Sequence, residues 1–578
     1  MKYSNLIPYH KILENLDTNN FKNKKKITIY NLYNFNPLVL NKYLQYFLKQ
    51  KGIKSEILSS EFDQIDQELI SPNFNFKCSK SNILIIGSDI NLKLSFNESK
   101  IDFYLKNLKN NLNQCLKKNN NSKNFQIIFW NCITLKSDFF NTRDKFYLSR
   151  KKINNFNEYL HKLSKKYKNL QVFDINKISN LVGIENFYDQ KNYYISKIPY
   201  SEQSHNYITF ELSQLINSIF TPNKKCLVLD LDNTLWGGIL SEDGAEGIDL
   251  GTTYIGEKYK DFQRYIKVLL KRGVILAICS KNDVREVKEC FKKNSEMILK
   301  FEDFSSVKIN WDVKYININK IAKELNIGKD SIVFFDDSDF EREQMKKFNP
   351  SVNVIETPKD PEYFIQAIEN SGFFHQYTLT NEDKRKKYQY EILKKAHDFK
   401  SSVKNLDEFL INLSMKLEIS NINKFNFDRS VQLTNKTNQF NLTTKRYNNS
   451  ELESFLKSND QISLVARLKD KFGDHGITAL VMAKRKNKKI WTIDTFLLSC
   501  RILGRKVENI LLYELLKKLK QKKANIIEGV YIKTNKNQQC KDFFVNNSFI
   551  KKDNHYLFDL NNLKNVKNNF FKVKYGQN

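Results

Sequence analysis

The apolar run 226–229, CLVL, leads straight into Asp230, and a second carboxylate, Asp232, follows two positions on. A buried strand of this kind exposes its last residue at the carboxyl edge of a parallel sheet, where open α/β folds bind ligands. Two carboxylates this close repel and call for a cation; a hard dication with oxygen ligands, Mg²⁺, fits. One carboxylate can then attack phosphorus while the other carries the leaving-group proton. Fitting partners follow in chain order. Ser280 ends VILAICS, where its hydroxyl can hold a phosphate oxygen. Lys314 stands at the start of a helical pattern, where an ammonium offsets phosphate charge. Asp336 and Asp337 close IVFF and complete the metal shell. The predicted metal ligands are Asp230, Asp232 and Asp336, with Asp337 beside them. A single such acid reads equally well as a helix cap or a solvated loop; the ordered set does not. Lys308 is a weaker alternative to Lys314, because it precedes the helix by several residues.

The elements that must position these residues alternate between strand and helix. Strands are predicted at 226–229, 274–279 and 331–335. One helix carries Phe262, Ile266, Leu269 and Leu270 on one face and ends at Gly273; another carries Ile318, Ile321, Ala322 and Leu325 and ends at Gly328. Upstream, 26–30, 83–87, 125–130 and 170–175 read as buried strands with helical patterns between them, which predicts a parallel α/β sheet. A charged helix is predicted at 381–396, with Thr380 and Asp383 forming its capping box. The last region mixes strands (463–468, 490–498, 524–532) with a helix at 507–520. The gaps from Asp230 to Ser280 and from Ser280 to Lys314 hold no inserted lid, so the phosphate site is predicted to be open to bulky substrates.

DLDNT, with Ser280, Lys314 and the pair Asp336–Asp337 behind it, resembles the haloacid dehalogenase superfamily of phosphatases. CLVLDLDNTLWGGILSEDGAEGIDLG, ICSKND, INWDVK and LNIGKDSIVFFDDSDFERE are similar to its FkbH-like branch. The resemblance implies Asp230 as nucleophile, Asp232 as acid/base, Ser280 and Lys314 as phosphate ligands, and Asp336 with Asp337 at the Mg²⁺ site. It also implies a substrate, 1,3-bisphosphoglycerate, and a partner, the phosphopantetheine thiol of an acyl carrier protein, onto which the glyceryl unit is loaded through a cysteine thioester. Cys279 and Cys500 are the candidate cysteines; Cys226 lies far from the chemistry. Ser338-Asp339 departs from the Asn-Pro common in the branch and removes no metal ligand.

The segment TIDTFLLSCRILGRKVENILLYELL resembles the Gcn5-related acyltransferase fold, whose loop matches at Arg501 and Gly504, with Arg505 beside them; Lys506 replaces a small residue. The implied role is either acetyl transfer or a grip on the pantetheine arm. NKNQQCKDFFVNNSF resembles that fold's terminal helix, with Phe543 or Phe544 packing. The first region resembles the flavodoxin-like SGNH-hydrolase fold, but its first strand leads into YNLYNFNP, with no nucleophilic serine. Glu202 and His205 echo that fold's acid–His pair and Asn131 an oxyanion donor; without the serine the region reads as a scaffold and His205 as a surface residue.

The expected architecture is α/β in three domains: 1–220 SGNH-like, 221–375 a Rossmann-like haloacid dehalogenase domain without a large cap, and 421–578 a Gcn5-related α+β domain, with a helical linker at 376–420. Net charge is +31 over 578 residues. Lys and Asn are spread along the chain rather than gathered in a stripe, which argues against a nucleic-acid partner. The eight cysteines form no CxxC pair or zinc spacing. No apolar run reaches membrane-spanning length and the start lacks a signal-peptide core, so a cytoplasmic location is expected. A plain phosphatase acting on a phosphoprotein or small phosphoester, and a noncatalytic binding protein, are the alternatives.

Overall fold

The computed structural model describes residues 6–17, 25–71, 82–93, 98–119, 125–133, 145–221, 223–375, 406–437, 439–458, 460–534, 537–553, 555–564 and 569–576. The predicted helix at 381–396 and its capping box lie outside them. The chain divides into two compact units, Met1–Thr221 and Pro222–Asn578.

The first unit carries a five-stranded sheet: β1 (Lys25–Tyr33), β2 (Ile53–Ser59), β3 (Ile83–Gly87), β4 (Gln126–Trp130) and β5 (Leu170–Phe173). The order is β2-β1-β3-β4-β5 and every pairing is parallel. This is the doubly wound arrangement of flavodoxin-like folds. Both sheet faces are covered, so β3 and most of β4 are buried without alternation, as parallel strands require.

In the second unit, β6 (Cys226–Leu229), β7 (Ile275–Ser280), β8 (Phe304–Ile309), β9 (Ile332–Phe335) and β10 (Asn353–Val354) form an all-parallel sheet in the order β10-β9-β6-β7-β8. β6 is central and its four residues are fully buried. Helix Tyr254–Lys271 lays Phe262, Ile266 and Leu269 on the sheet. Thr253 starts it by accepting from the Gly256 amide at 2.9 Å. A Cβ at Gly256 would meet backbone at 2.7 Å, so only glycine fits this first turn.

The remaining strands are β11 (Met415–Ser420), β12 (Phe440–Asn441), β13 (Gln461–Asp470), β14 (Gly473–Arg485), β15 (Ile490–Leu498), β16 (Ile526–Gly529), β17 (Ile550–Lys552), β18 (His555–Asp559) and β19 (Phe571–Tyr575). They order as β17-β18-β16-β15-β14-β13-β11-β19, with β12 against β15. Only β15–β16 and β11–β19 pair in parallel. Helix Val507–Gln521 packs Leu511, Leu515 and Leu519 into the main core of this sheet. Mixed α/β structure with parallel sheets therefore agrees with the fold class read from sequence.

Candidate functional site

The register of the second sheet puts Leu229 opposite both Phe335 and Ile278. Asp230 and Asp336 are therefore neighbours where β6 and β9 end, and Ser280 ends the strand on the other side. The Asp230 amide donates to the Phe335 carbonyl at 3.2 Å, so pairing runs up to the acid itself.

Lys314 Nζ lies 2.9 Å from Asp230 Oδ2 and 2.7 Å from Asp336 Oδ2. It is the first residue of helix Lys314–Glu324 and is buried. Burial alone would push its ammonium down; the two carboxylates outweigh this and hold it raised. Asp336 also accepts from the Ser338 amide at 3.0 Å. Burial, with the Asp230 charge next, pushes Asp336 upward. Arg342 donates to the carbonyls of Asp336 and Asp337 at 2.8 and 2.7 Å and so fixes the turn that carries both acids. Thr234, buried in the loop after β6, reaches Asp337 Oδ1 at 3.2 Å.

Asp230, Asp336 and Asp337 each offer a carboxylate oxygen, and these lie within 4.8 Å of one another. Two of these carboxylates, Asp230 and Asp336, share one ammonium, and Asp230 Oδ1 is buried with no hydrogen-bond partner. An orphaned buried carboxylate oxygen is costly unless a ligand satisfies it. The all-oxygen donor set suits a hard dication such as Mg²⁺, so the residues present fit the metal.

Asp232, predicted as a metal ligand, is outside this cluster. Its carboxylate is occupied elsewhere: Oδ1 accepts from Trp236 Nε1 at 3.0 Å and the Leu240 amide at 3.1 Å, and Oδ2 from Asn282 Nδ2 at 2.7 Å. The loop turns it away at Asn233, whose φ of 50° is left-handed and whose Oδ1 accepts from the Gly238 amide at 3.0 Å. Burial pushes Asp232 upward despite its three donors. Asn282 and Trp236 were not singled out from sequence; their positions inside ICSKND and DNTLWGG were the available signal.

Ser280 is buried at the end of β7. Lys308 ion-pairs with Glu324 at 2.7 Å, which removes it as the alternative to Lys314. Cys279 lies in the core on the opposite face from the cluster of Leu276 and Ile278, its Sγ 3.8 Å from the Lys314 carbonyl, and burial pushes its thiol up. The side chain of Cys500 falls outside the described residues.

In the last sheet Gly504 has φ of 77° and open space where a Cβ would stand. Arg501 Nε donates to Ser499 Oγ at 3.1 Å. Arg505, expected to bind a ligand, is instead turned inward: it is buried, bonds Asp470, and lies 2.9 Å from His475 Nε2. A guanidinium committed to an internal carboxylate is not offered to phosphate. Phe543 and Phe544 both pack in the core, as expected.

In the first unit His205 is buried, not on the surface. It stacks on Tyr43 at 5.8 Å and Nδ1 meets the Ser201 carbonyl at 3.0 Å. Burial lowers it to about 4. Asn131 is committed to structure, donating to Asp174 at 2.7 Å and accepting from the Ile175 amide at 2.9 Å.

Sheet order, acidic triad and buried lysine together gather three carboxylates and one ammonium at the carboxyl edge of the second sheet. No protein-family model matches the chain, and no curated protein matches it. Among solved structures, the chain is similar to the N-terminal part of the protein BF1531 from Bacteroides fragilis, described as containing a phosphatase domain complexed with Mg. The TM-score is 0.57 and the identity 26%, over 64% of this chain and all of that one. Matches at a TM-score of 0.20 include a ribosomal-protein-S18-alanine N-acetyltransferase from Escherichia coli (8% identity, 26% of this chain, 97% of that one). A GNAT-family acetyltransferase from Staphylococcus aureus also matches at 0.20 (15% identity, 25% and 99%). Among the described residues no helix is long and apolar enough to cross a membrane.

Proposed function

We propose that the chain is an Mg²⁺-dependent phosphatase of the haloacid dehalogenase type, working through an aspartyl-phosphate at Asp230. The observation that carries this is the orphaned, buried Oδ1 of Asp230 within the triad Asp230–Asp336–Asp337, beside Lys314. The likeness to a phosphatase domain complexed with Mg supports the same reading. A dication held by the triad would offset the charge of the phosphoryl group.

Asp230 attacks phosphorus; its O–P bond forms as the bond to the leaving oxygen breaks. The leaving oxygen keeps the electron pair and takes a proton from Asp232. Water then gives a proton to Asp232 and attacks the aspartyl-phosphate, releasing phosphate and restoring Asp230. Lys314 orients the Asp230 carboxylate and offsets charge on the phosphoryl oxygens; the Ser280 hydroxyl holds one of them.

In its finer form the proposal makes the substrate 1,3-bisphosphoglycerate and the acceptor the phosphopantetheine thiol of an acyl carrier protein. The domains 221–375 and 421–578 then serve phosphate and pantetheine in turn, with 1–220 as scaffold, in a cytoplasmic protein. The motif resemblance supports this form. The test is intact-protein mass spectrometry of a holo carrier protein after incubation with the full chain, Mg²⁺ and 1,3-bisphosphoglycerate: a glyceryl adduct is expected, and an unchanged carrier mass rejects transfer. A plain phosphatase is the second reading. Its support is that all six cysteines with described side chains are buried, which disfavours thiolate capture. Phosphate release without any carrier, and no adduct with one, is its signature.

A further inference from the structure

The carboxylate of Asp232 is held asymmetrically. Both partners of Oδ1, the Trp236 indole N–H and the Leu240 amide, are donors only. A proton on Oδ1 would face two other protons. The single partner of Oδ2 is the Asn282 side-chain amide, at 2.7 Å. An amide carries both a donor and an acceptor end, so a half-turn presents its oxygen to a protonated Oδ2 instead. Asn282 is buried two residues beyond Ser280, on the loop that leaves β7, and Trp236 is fully buried against Phe291. Packing holds the Trp236 ring in place, burial keeps Asn282 beside Oδ2 while leaving its terminal amide free to turn, and the two come from the loops after two adjacent strands of the sheet.

We propose that Trp236 and Asn282 are positioning residues that reserve Oδ2 of Asp232 as the oxygen exchanging a proton with the leaving group, Asn282 alternating between donor and acceptor as that proton comes and goes. This rests on the phosphatase reading. In the transfer step the P–O bond to the leaving group breaks, its electron pair stays on the leaving oxygen, and the Oδ2–H proton moves to that oxygen. Asn282 then turns its N–H back to the bared Oδ2. When water attacks the aspartyl-phosphate, its proton returns to Oδ2 and the amide turns again. Without the clamp the carboxyl rotates about its Cβ–Cγ bond and the proton is misdirected.

The value of a placed proton depends on the leaving group: an alkoxide needs it and a nitrophenolate does not. A role in proton delivery therefore appears as leaving-group dependence, whereas a merely structural role lowers all substrates together. The measurement is kcat/KM, which stops at phosphoryl transfer, for the full-length chain with Mg²⁺ on a series from alkyl phosphates to p-nitrophenyl phosphate. Asn282→Ala is compared with wild type, and Trp236→Phe, which keeps a ring and loses only the N–H, is the second variant. Each variant is expected to lose at least tenfold more on the alkyl phosphates than on p-nitrophenyl phosphate, within the 10²–10⁴-fold typical of general acid catalysis. Equal losses across the series, or none, in both variants overturn the proposal. A wild-type chain with no Mg²⁺-dependent turnover of any member overturns the phosphatase reading as well, so the two failures are told apart.

Discussion

Lys314 Nζ stands 2.9 Å from Asp230 Oδ2, and both side chains are enclosed by the protein. Because Asp336 shares the same ammonium, Lys314 is the only buried cation in contact with two buried carboxylates among the described ion pairs. Replacing it by methionine is expected to destabilise the fold by about 3–5 kcal/mol, the cost of leaving buried charge uncompensated. Mg²⁺ should recover part of that loss, because the same carboxylates would hold it. Urea unfolding of Lys314→Met and wild type, with and without Mg²⁺, checks both statements.

Asp230→Asn keeps the shape of the side chain and removes the nucleophile. It is expected to fold, since the change relieves repulsion with Asp336, and to lose at least about 10³-fold in turnover. Quenched mass spectrometry should find a phosphoryl adduct on wild type and none on the variant.

Asp336→Asn and Asp337→Asn each take one carboxylate from the triad. Each should raise the Mg²⁺ concentration for half-maximal activity by at least about tenfold. The Mg²⁺-induced rise in thermal midpoint, worth about 2.7 kcal/mol at a hundredfold excess over Kd, should shrink in parallel. Asp232→Asn should leave that rise largely intact, because its carboxylate lies outside the cluster.

The first unit carries two buried groups whose pH effects oppose one another. His205 is lowered by burial from 6.5 to about 4. It therefore contributes stability that is present above pH 6.5 and lost as the pH falls toward 4, on the order of 3 kcal/mol. Asp89 is raised by burial from 3.8 to about 6, against the pull of Tyr188 and Tyr200. Its protonated form is favoured in the fold, so it contributes stability present below 3.8 and lost as the pH rises through 6. Wild type should thus change little between pH 4 and 6. Asp89→Asn should lose stability on acidification over that range and His205→Gln should gain it, by chemical unfolding at stepped pH.

The acidic cluster was legible because its residues sit at strand ends. Asp230, Ser280 and Asp336 each follow or close an apolar run, and a parallel sheet brings such ends to one edge. The direction of Asp232 was not legible: it depends on the left-handed turn at Asn233 and on Asn282, 50 positions away along the chain. His205 read as a surface residue because its ring partners, Tyr43 and Tyr200, come from other elements. Arg505 sits in a basic turn that looks ligand-facing, yet Asp470 and His475 of the β13–β14 hairpin draw it inward. Strand β14 lacks a period-two pattern because both its faces are buried. Ala479, Val481 and Ala483 face one core, and Leu480 and Met482 the other.

Anomalous diffraction from crystals of the full chain soaked in Mn²⁺, a scattering substitute for Mg²⁺, reads the central assignment most directly. The account predicts one strong peak within about 2.0–2.3 Å of carboxylate oxygens of Asp230, Asp336 or Asp337. No peak between the ends of β6 and β9, at a Mn²⁺ concentration that supports turnover, would contradict it.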